Sequence, residues 1–356
     1  MNSKLVNSEL GMLSDEAMGQ TNEAGARRVF DFTLITNPIG PSNKARHAMR
    51  KAIRTVDRLP QTRFLTRYLC STEGIAEEQL LLGNGASHIL TLLLQTLTPP
   101  SALLPSPVPH AYEEILQKQQ VEVRPFPLDL EQDFKISKEK FKDCWRDAGV
   151  AFVLNPHNPT GTVLPEDLII DLIRTSAELG KPLIIDETLR DFTDSPSQAQ
   201  QVIQVSNVII LRTFSFYHAL AGLRLGYAIG HPALLSRIRQ LMEPRPLNSL
   251  APLAALASLR DKGYRRRIAE YLSAETAYVL KKLQGLERIK PLATPWGFLL
   301  RIQPAIADLK NLFFAKALLV DEYRDAQGNQ YLSFPFHSHP ENAQFFRVLQ
   351  RILREQ

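Results

Sequence analysis

The chain is poor in cysteine and has no long apolar run, and each shortage removes a class of protein. Two cysteines in 356 residues, Cys70 and Cys144, are too few for a disulfide framework or a paired-cysteine metal site, which points to a reducing, cytoplasmic setting. No window approaches the roughly 18 apolar residues of a membrane span. The polar opening MNSKLVNSELGMLSDEAMGQ has no apolar stretch of leader length. Runs of one charge sign are missing too. The 42 Lys and Arg and 37 Asp and Glu are interspersed, so a net charge of +5 describes a mixed solvated surface rather than a nucleic-acid face. There is no internal repeat, no GxSxG elbow and no His, Asp and Glu set at metal-ligand spacing. Metal, nucleic acid and membrane are therefore not expected as partners.

What is present is an ordinary globular composition, 44% hydrophobic and 22% charged, in a chain long enough for a large and a smaller domain. Residues 1–42 read as an N-terminal arm and part of the small domain, 43–245 as the large domain, and 246–356 as a linking helix and the rest of the small one. Ser42 is placed to cap a helix over KARHAMRKAIRTV, whose apolar positions recur at three- and four-residue spacing. Apolar runs then alternate with helical stretches: LLLG, VAFVL ending at Asn155, PLIIDE ending at Asp186 and Glu187, and VIILRTFSF. This alternation predicts an α/β, doubly wound, mostly parallel sheet, with ligands at the carboxyl ends of the strands. WGFLLRI and QYLSFPF are strands of a smaller α+β domain, closed by an amphipathic helix over ENAQFFRVLQRILREQ.

Chemistry concentrates in four motifs. Gly83-Asn84-Gly85-Ala86-Ser87 precedes a helix expected from about His88. Such a loop lets a ligand approach the unpaired N–H groups of a helix N-terminus, which favour an anion. NPHNPTG, Asn155 to Gly161, and the acids Asp186 and Glu187 follow buried strands. Leu211 to Gly230, LRTFSFYHALAGLRLGYAIG, carries Ser215 and Arg224.

Taken together, in this order and at these intervals, NPIGPS, NPHNPTG, IIDE and ALAGLRLGY resemble fold type I pyridoxal-phosphate (PLP) enzymes of aminotransferase class I/II. The match is to the branch of histidinol-phosphate aminotransferase and threonine-phosphate decarboxylase, and it runs from NPIGPS to the last helix. The resemblance implies that Gly85, Ala86, Ser87, Ser215 and Arg224 hold the PLP phosphate, that Asn158 bonds the ring's phenolic oxygen and that Asp186 meets the pyridine nitrogen. It also implies a homodimer. The family writes Ser or Thr, then its Schiff-base lysine, then a few apolar residues and Gly-Leu-Arg; here Ser215 is followed by Phe216. Further departures fall at Leu59 and Leu189 for two tyrosines, Pro109 for the aromatic over the ring, and Ser333 for the arginine that clamps a substrate carboxylate, with Arg301 a candidate substitute.

These departures predict an aminotransferase- or decarboxylase-like biosynthetic protein that cannot form an internal aldimine. It would bind PLP, pyridoxamine phosphate (PMP) or another phosphorylated small molecule non-covalently. Two alternatives stay open: altered PLP or PMP chemistry with His218 as the base, and a non-catalytic partner of a biosynthetic enzyme. His218 lies two residues past Phe216, so an extended backbone would aim both side chains alike. His88, His110 and His157 are further candidates near the same edge.

Overall fold

A computed structural model describes residues 29–128 and 133–356; of the arm expected over residues 1 to about 30, the first 28 lie outside them. Strand β1 (Phe30–Asp31) leads into helices α1 (Asn43–Ala52) and α2 (Arg63–Glu73). Ser42 caps α1 as expected, its Oγ accepting from the Ala45 N–H at 3.1 Å. There follow β2 (Leu80–Gly83), α3 (Ala86–Leu97), β3 (Ser101–Ser106), α4 (His110–Lys118), β4 (Glu122–Pro127), α5 (Lys138–Asp147) and β5 (Val150–Leu154). Next come α6 (Glu166–Leu179), β6 (Leu183–Asp186), α7 (Ala199–Val202), β7 (Val208–Thr213), β8 (Gly226–Gly230), α8 (Pro232–Leu241) and α9 (Leu250–Leu259).

Strands β2 to β8 form one seven-stranded sheet in the order β2-β8-β7-β6-β5-β3-β4. Only β8 runs against its neighbours. Every residue of β5, β6 and β7 is buried, which is the signature of parallel strands covered by helices on both faces. Two apolar clusters, one on each face, hold this layer together. The carboxyl ends of the parallel strands, together with Gly83 and the start of β8 at Gly226, therefore meet along one edge.

The second unit follows α10 (Tyr264–Leu283) and contains β9 (Ile289–Thr294), β10 (Gly297–Ile302), α11 (Leu309–Phe314), β11 (Leu318–Leu319), β12 (Glu322–Arg324), β13 (Gln330–Pro335) and α12 (His339–Glu355). Four antiparallel strands in the order β12-β13-β10-β9 pack under these helices, and β1 pairs in parallel with β11. Phe32, just after β1, joins Phe313, Phe334, Phe345 and Phe346 in its core, whereas Asn37 donates to the Phe216 and Tyr217 carbonyls of the large unit. The boundary expected at 246 is displaced: Ala251, Ala254 and Ala255 of α9 are buried in the large unit's core, because small side chains let α9 lie close against α1.

Candidate active site

The strand ends surround a cavity of about 190 Å³. At one end lies the loop from β2 to α3. Gly85 takes φ +88°, and a Cβ there would stand 2.8 Å from Arg224 Nη2; a Cβ on Gly226 would stand 2.4 Å from the Ala86 nitrogen. These two glycines let the guanidinium and the start of β8 approach the helix N-terminus, at positions where any side chain would collide. Arg224 Nη2 donates to Ser87 Oγ at 3.0 Å. Arg224 itself sits at φ 48°, a left-handed conformation that costs an ordinary residue about 1–2 kcal/mol. Helix α3 has no side-chain cap, so its first N–H groups lack that partner, and the Arg224 guanidinium stands at the same first turn through Ser87.

Ser215 is buried beside them. Its N–H donates to Thr213 Oγ1 at 3.1 Å, and its Oγ lies 2.9 Å from that hydroxyl, which also reaches the Leu225 carbonyl at 3.3 Å. Two hydroxyls, a guanidinium and a helix N-terminus form a cradle for a tetrahedral dianion.

Asp186, the last residue of β6, lies across the cavity. Tyr112 donates to its Oδ2 at 2.5 Å, and the Thr188 backbone N–H and hydroxyl donate to Oδ1 at 2.8 and 2.6 Å. Burial raises its pKa against the pull of these donors. The Tyr112 hydroxyl is pushed well above its ordinary value, by burial first and by the Asp186 charge second, so it remains a donor. A carboxylate offers about four lone-pair sites, so three donors leave one for a ligand N–H. Asn158, half-buried on the NPHNPTG loop, also lines the cavity.

The rest of the wall is apolar. Leu90, Ile115, Leu154 and Leu211 close one side, and Phe216 and Leu189 another. Phe216 packs against a small cluster of Ile35, Leu189, Phe192 and Trp296, which draws on both units. No lysine is among the described residues that line the cavity.

The expected residues Ala86, Ser87, Asn158, Asp186, Ser215, Phe216 and Arg224 all line this one cavity, with Gly85 against Arg224. His218 does not. It is 5% exposed, with Nδ1 2.8 Å from Ser258 Oγ and Nε2 3.2 Å from Asp191 Oδ2, among the rings of Phe214, Tyr217 and Tyr264. The expected alternation fails because β7 ends at Thr213. Ala219 N–H then donates to Phe216 O at 3.0 Å, and Leu220 N–H to Phe214 O at 3.1 Å, closing a turn that swings His218 away. His110 is exposed beside Glu113 and Glu114, and Arg301 is engaged by Asn329 at 2.6 Å. His157, within the NPHNPTG loop, is buried with Nδ1 2.9 Å from Thr160 Oγ1; neither it nor His88 lines the cavity. Leu59 is exposed, Leu189 is buried in the wall, and Ser333 lies on β13 with its N–H donating to Asp321 O.

Sequence reasoning missed Tyr112, Thr188 and Thr213. Thr213 and Thr188 sit two residues from Ser215 and Asp186 and could have been suspected, whereas Tyr112 reaches Asp186 across 74 positions with no local signal. Among the described residues, no group of three or more His, Cys, Asp or Glu could hold a metal ion, and no helix is long and apolar enough to cross a membrane.

Comparison with known proteins places this geometry. A histidinol-phosphate aminotransferase of Hydrogenovibrio crunogenus is 29% identical over 335 residues, covering 91% of this chain and 92% of that protein. The crystal structure of the histidinol-phosphate aminotransferase from Clostridium acetobutylicum superposes with a TM-score of 0.80 at 22% identity, covering 92% of this chain and all of that one. A histidinol-phosphate aminotransferase from Sinorhizobium meliloti, solved in complex with pyridoxal 5'-phosphate, gives the same TM-score at 17% identity, with 92% and 91% covered. The sequence model of aminotransferase class I and II matches residues 45–324, and with the sheet order and the strand-end cavity already in hand, the chain belongs to that family.

Proposed function

We propose that the chain binds a phosphorylated ligand, PLP or PMP being the reference case, without a covalent bond to the protein, and that it lacks conventional transamination. The observation that carries this reading is the pairing of a phosphate cradle and a buried carboxylate with a wall that offers no amine. Ser87, Ser215, Arg224 and the α3 N-terminus fit a phosphate; Asp186, held by Tyr112 and Thr188, fits a ring nitrogen; Asn158 fits a ring hydroxyl. When bound, such a cofactor supplies an electron sink to the family's chemistry. At the position where the resemblance puts the Schiff-base lysine stands Phe216, which has no nucleophile and no titratable group. Losing a positioned base alone costs a rate about 10²- to 10⁴-fold, and here the attachment point is lost with it.

The same reading extends to assembly. Ile53, Val56, Leu59 and Phe64 are 59%, 60%, 60% and 56% exposed on consecutive turns after α1 and at the start of α2. Four large apolar side chains so close in sequence and so open to water favour a homodimer.

The test is spectroscopic. The purified protein should show a raised melting temperature with PLP or PMP, and after borohydride treatment mass spectrometry should find no stoichiometric pyridoxyl-lysine. Phe216→Lys should acquire one at residue 216. A stoichiometric pyridoxyl-lysine in the unaltered chain would sink the reading.

A further inference from the structure

Charge is mixed along the whole chain, but not between α1 and α2. Residues 50–64 hold Arg50, Lys51, Arg54, Arg58 and Arg63 against the single acid Asp57, five cations less one acid, a local charge of +4. All six are exposed. Among the described residues no carboxylate lies within ion-pair distance of the five cations, whereas Arg67, one turn further on, is held by Glu77 at 3.8 Å. Between them stand the open apolar side chains of Ile53, Val56, Leu59 and Phe64. The surface is thus basic and apolar together. It runs into a cavity of about 410 Å³ that Pro60 and Thr62 line with Met242, Leu247 and the exposed pair Glu243 and Arg245.

Such a face fits a partner of opposite charge that also carries large apolar side chains. The same face on a second copy does not qualify. Copies related by a two-fold axis present one patch to each other, so +4 would meet +4. The chain has a segment that does fit. Residues 9–23, ELGMLSDEAMGQTNE, carry Glu9, Asp15, Glu16 and Glu23 with no Lys or Arg, a charge of −4, together with Leu10, Met12, Leu13 and Met18. This is the acidic and apolar counterpart of residues 50–64. The stretch from Glu9 to Phe30 spans up to about 70 Å when extended, enough to reach a neighbouring copy.

We propose that residues 9–23 of one copy cross to a second and lie over its face of residues 50–64, so that each copy gives an acidic segment and receives one. The inference rests on the homodimer reading above and names the segment that closes the assembly. A segment lying on its own copy would cover the apolar side chains that the assembly uses. Crossing covers them and removes the meeting of like charges at once. Exposed ion pairs are individually weak, so the acids select and register the partner while the apolar side chains hold it.

Charge exchange on the full chain tests this by sedimentation velocity at about 0.1 M salt, where a screening length of about 10 Å leaves such contacts effective. One variant carries Glu9→Lys, Asp15→Lys, Glu16→Lys and Glu23→Lys. The other carries Arg50→Glu, Arg54→Glu, Arg58→Glu and Arg63→Glu, all four at exposed positions. Each alone should dimerise at least about tenfold more weakly than the unaltered chain. An equimolar mixture should recover the unaltered affinity, because every crossing in it sets acid against base. If the first variant dimerises like the unaltered chain, the crossing segment is overturned and the assembly stands. A mixture no tighter than its components overturns the crossing as well. An unaltered chain that stays monomeric overturns the homodimer reading, and this inference falls with it.

Discussion

At the residue scale, the cavity separates what local sequence controls from what it does not. Arg224 works because Gly85 and Gly226 have no side chains, so the guanidinium reaches Ser87. Phe216 lies one residue past Ser215, yet its ring joins the joint of Ile35 and Trp296, two residues far away in sequence. His157 shows a third kind of role. Its N–H donates to Thr162 O and its carbonyl accepts from Gly161 N–H, each at 2.7 Å, so it shapes the loop that carries Asn158. Burial lowers its pKa from the ordinary 6.5 to about 3, partly offset by the Pro107 carbonyl. The folded state therefore holds it neutral while the unfolded chain protonates it near 6.5. The associated stability is fully present above about pH 6.5 and is lost as the pH falls from there towards 3, at up to about 1.4 kcal/mol per pH unit. Denaturant titrations from pH 7 to pH 4 should show a shallower loss for His157→Gln than for the unaltered chain; parallel curves would refute the assignment.

At the scale of elements, β7 serves two faces. Leu211 and Thr213 turn towards the cavity, and Arg212 between them turns to the other face. There it donates from Nε to Glu187 Oε2 at 2.8 Å and from Nη1 to Glu73 Oε1 at 2.5 Å, with Ser197 Oγ at 2.9 Å from Nη2. This ties α2, the turn after β6 and the segment before α7 to the central strand. Arg212 is 3% exposed, so its loss would leave Glu73 and Glu187 without their closest cation, with Arg190 Nε 3.8 Å from Glu187 Oε2 as the remaining charge. Arg212→Met should lower unfolding free energy by about 3–5 kcal/mol, read as a shift of the urea midpoint. A change below 1 kcal/mol would mean that the network contributes little to the large unit.

At the scale of the whole molecule, the described surface has one concentration of large apolar side chains that neither core accounts for, at Ile53, Val56, Leu59 and Phe64. A second copy of the chain covering this face is the assembly proposed above. Ile53→Asp with Phe64→Glu should convert the protein to a monomer in sedimentation velocity while far-ultraviolet circular dichroism stays unchanged. A double variant that sediments like the unaltered chain would place the interface elsewhere.

The sequence by itself determined the α/β class, the order of motifs and most of the polar residues of the cavity, because these follow from strand-length apolar runs and from what stands just after them. Asp186, Asn158, Ser215 and Arg224 all lie at or beside strand ends, where position along the chain fixes position on the sheet edge. Only the tertiary structure decided where side chains point once the strand has ended and which distant groups meet. The turn after Thr213 removed His218 from the cavity, Tyr112 arrived at Asp186 from helix α4, and α9 joined the large core although it lies beyond the boundary expected at 246. Period-two alternation holds only while the backbone stays extended, and contacts between segments far apart depend on packing volume and hydrogen-bond partners that no local pattern records.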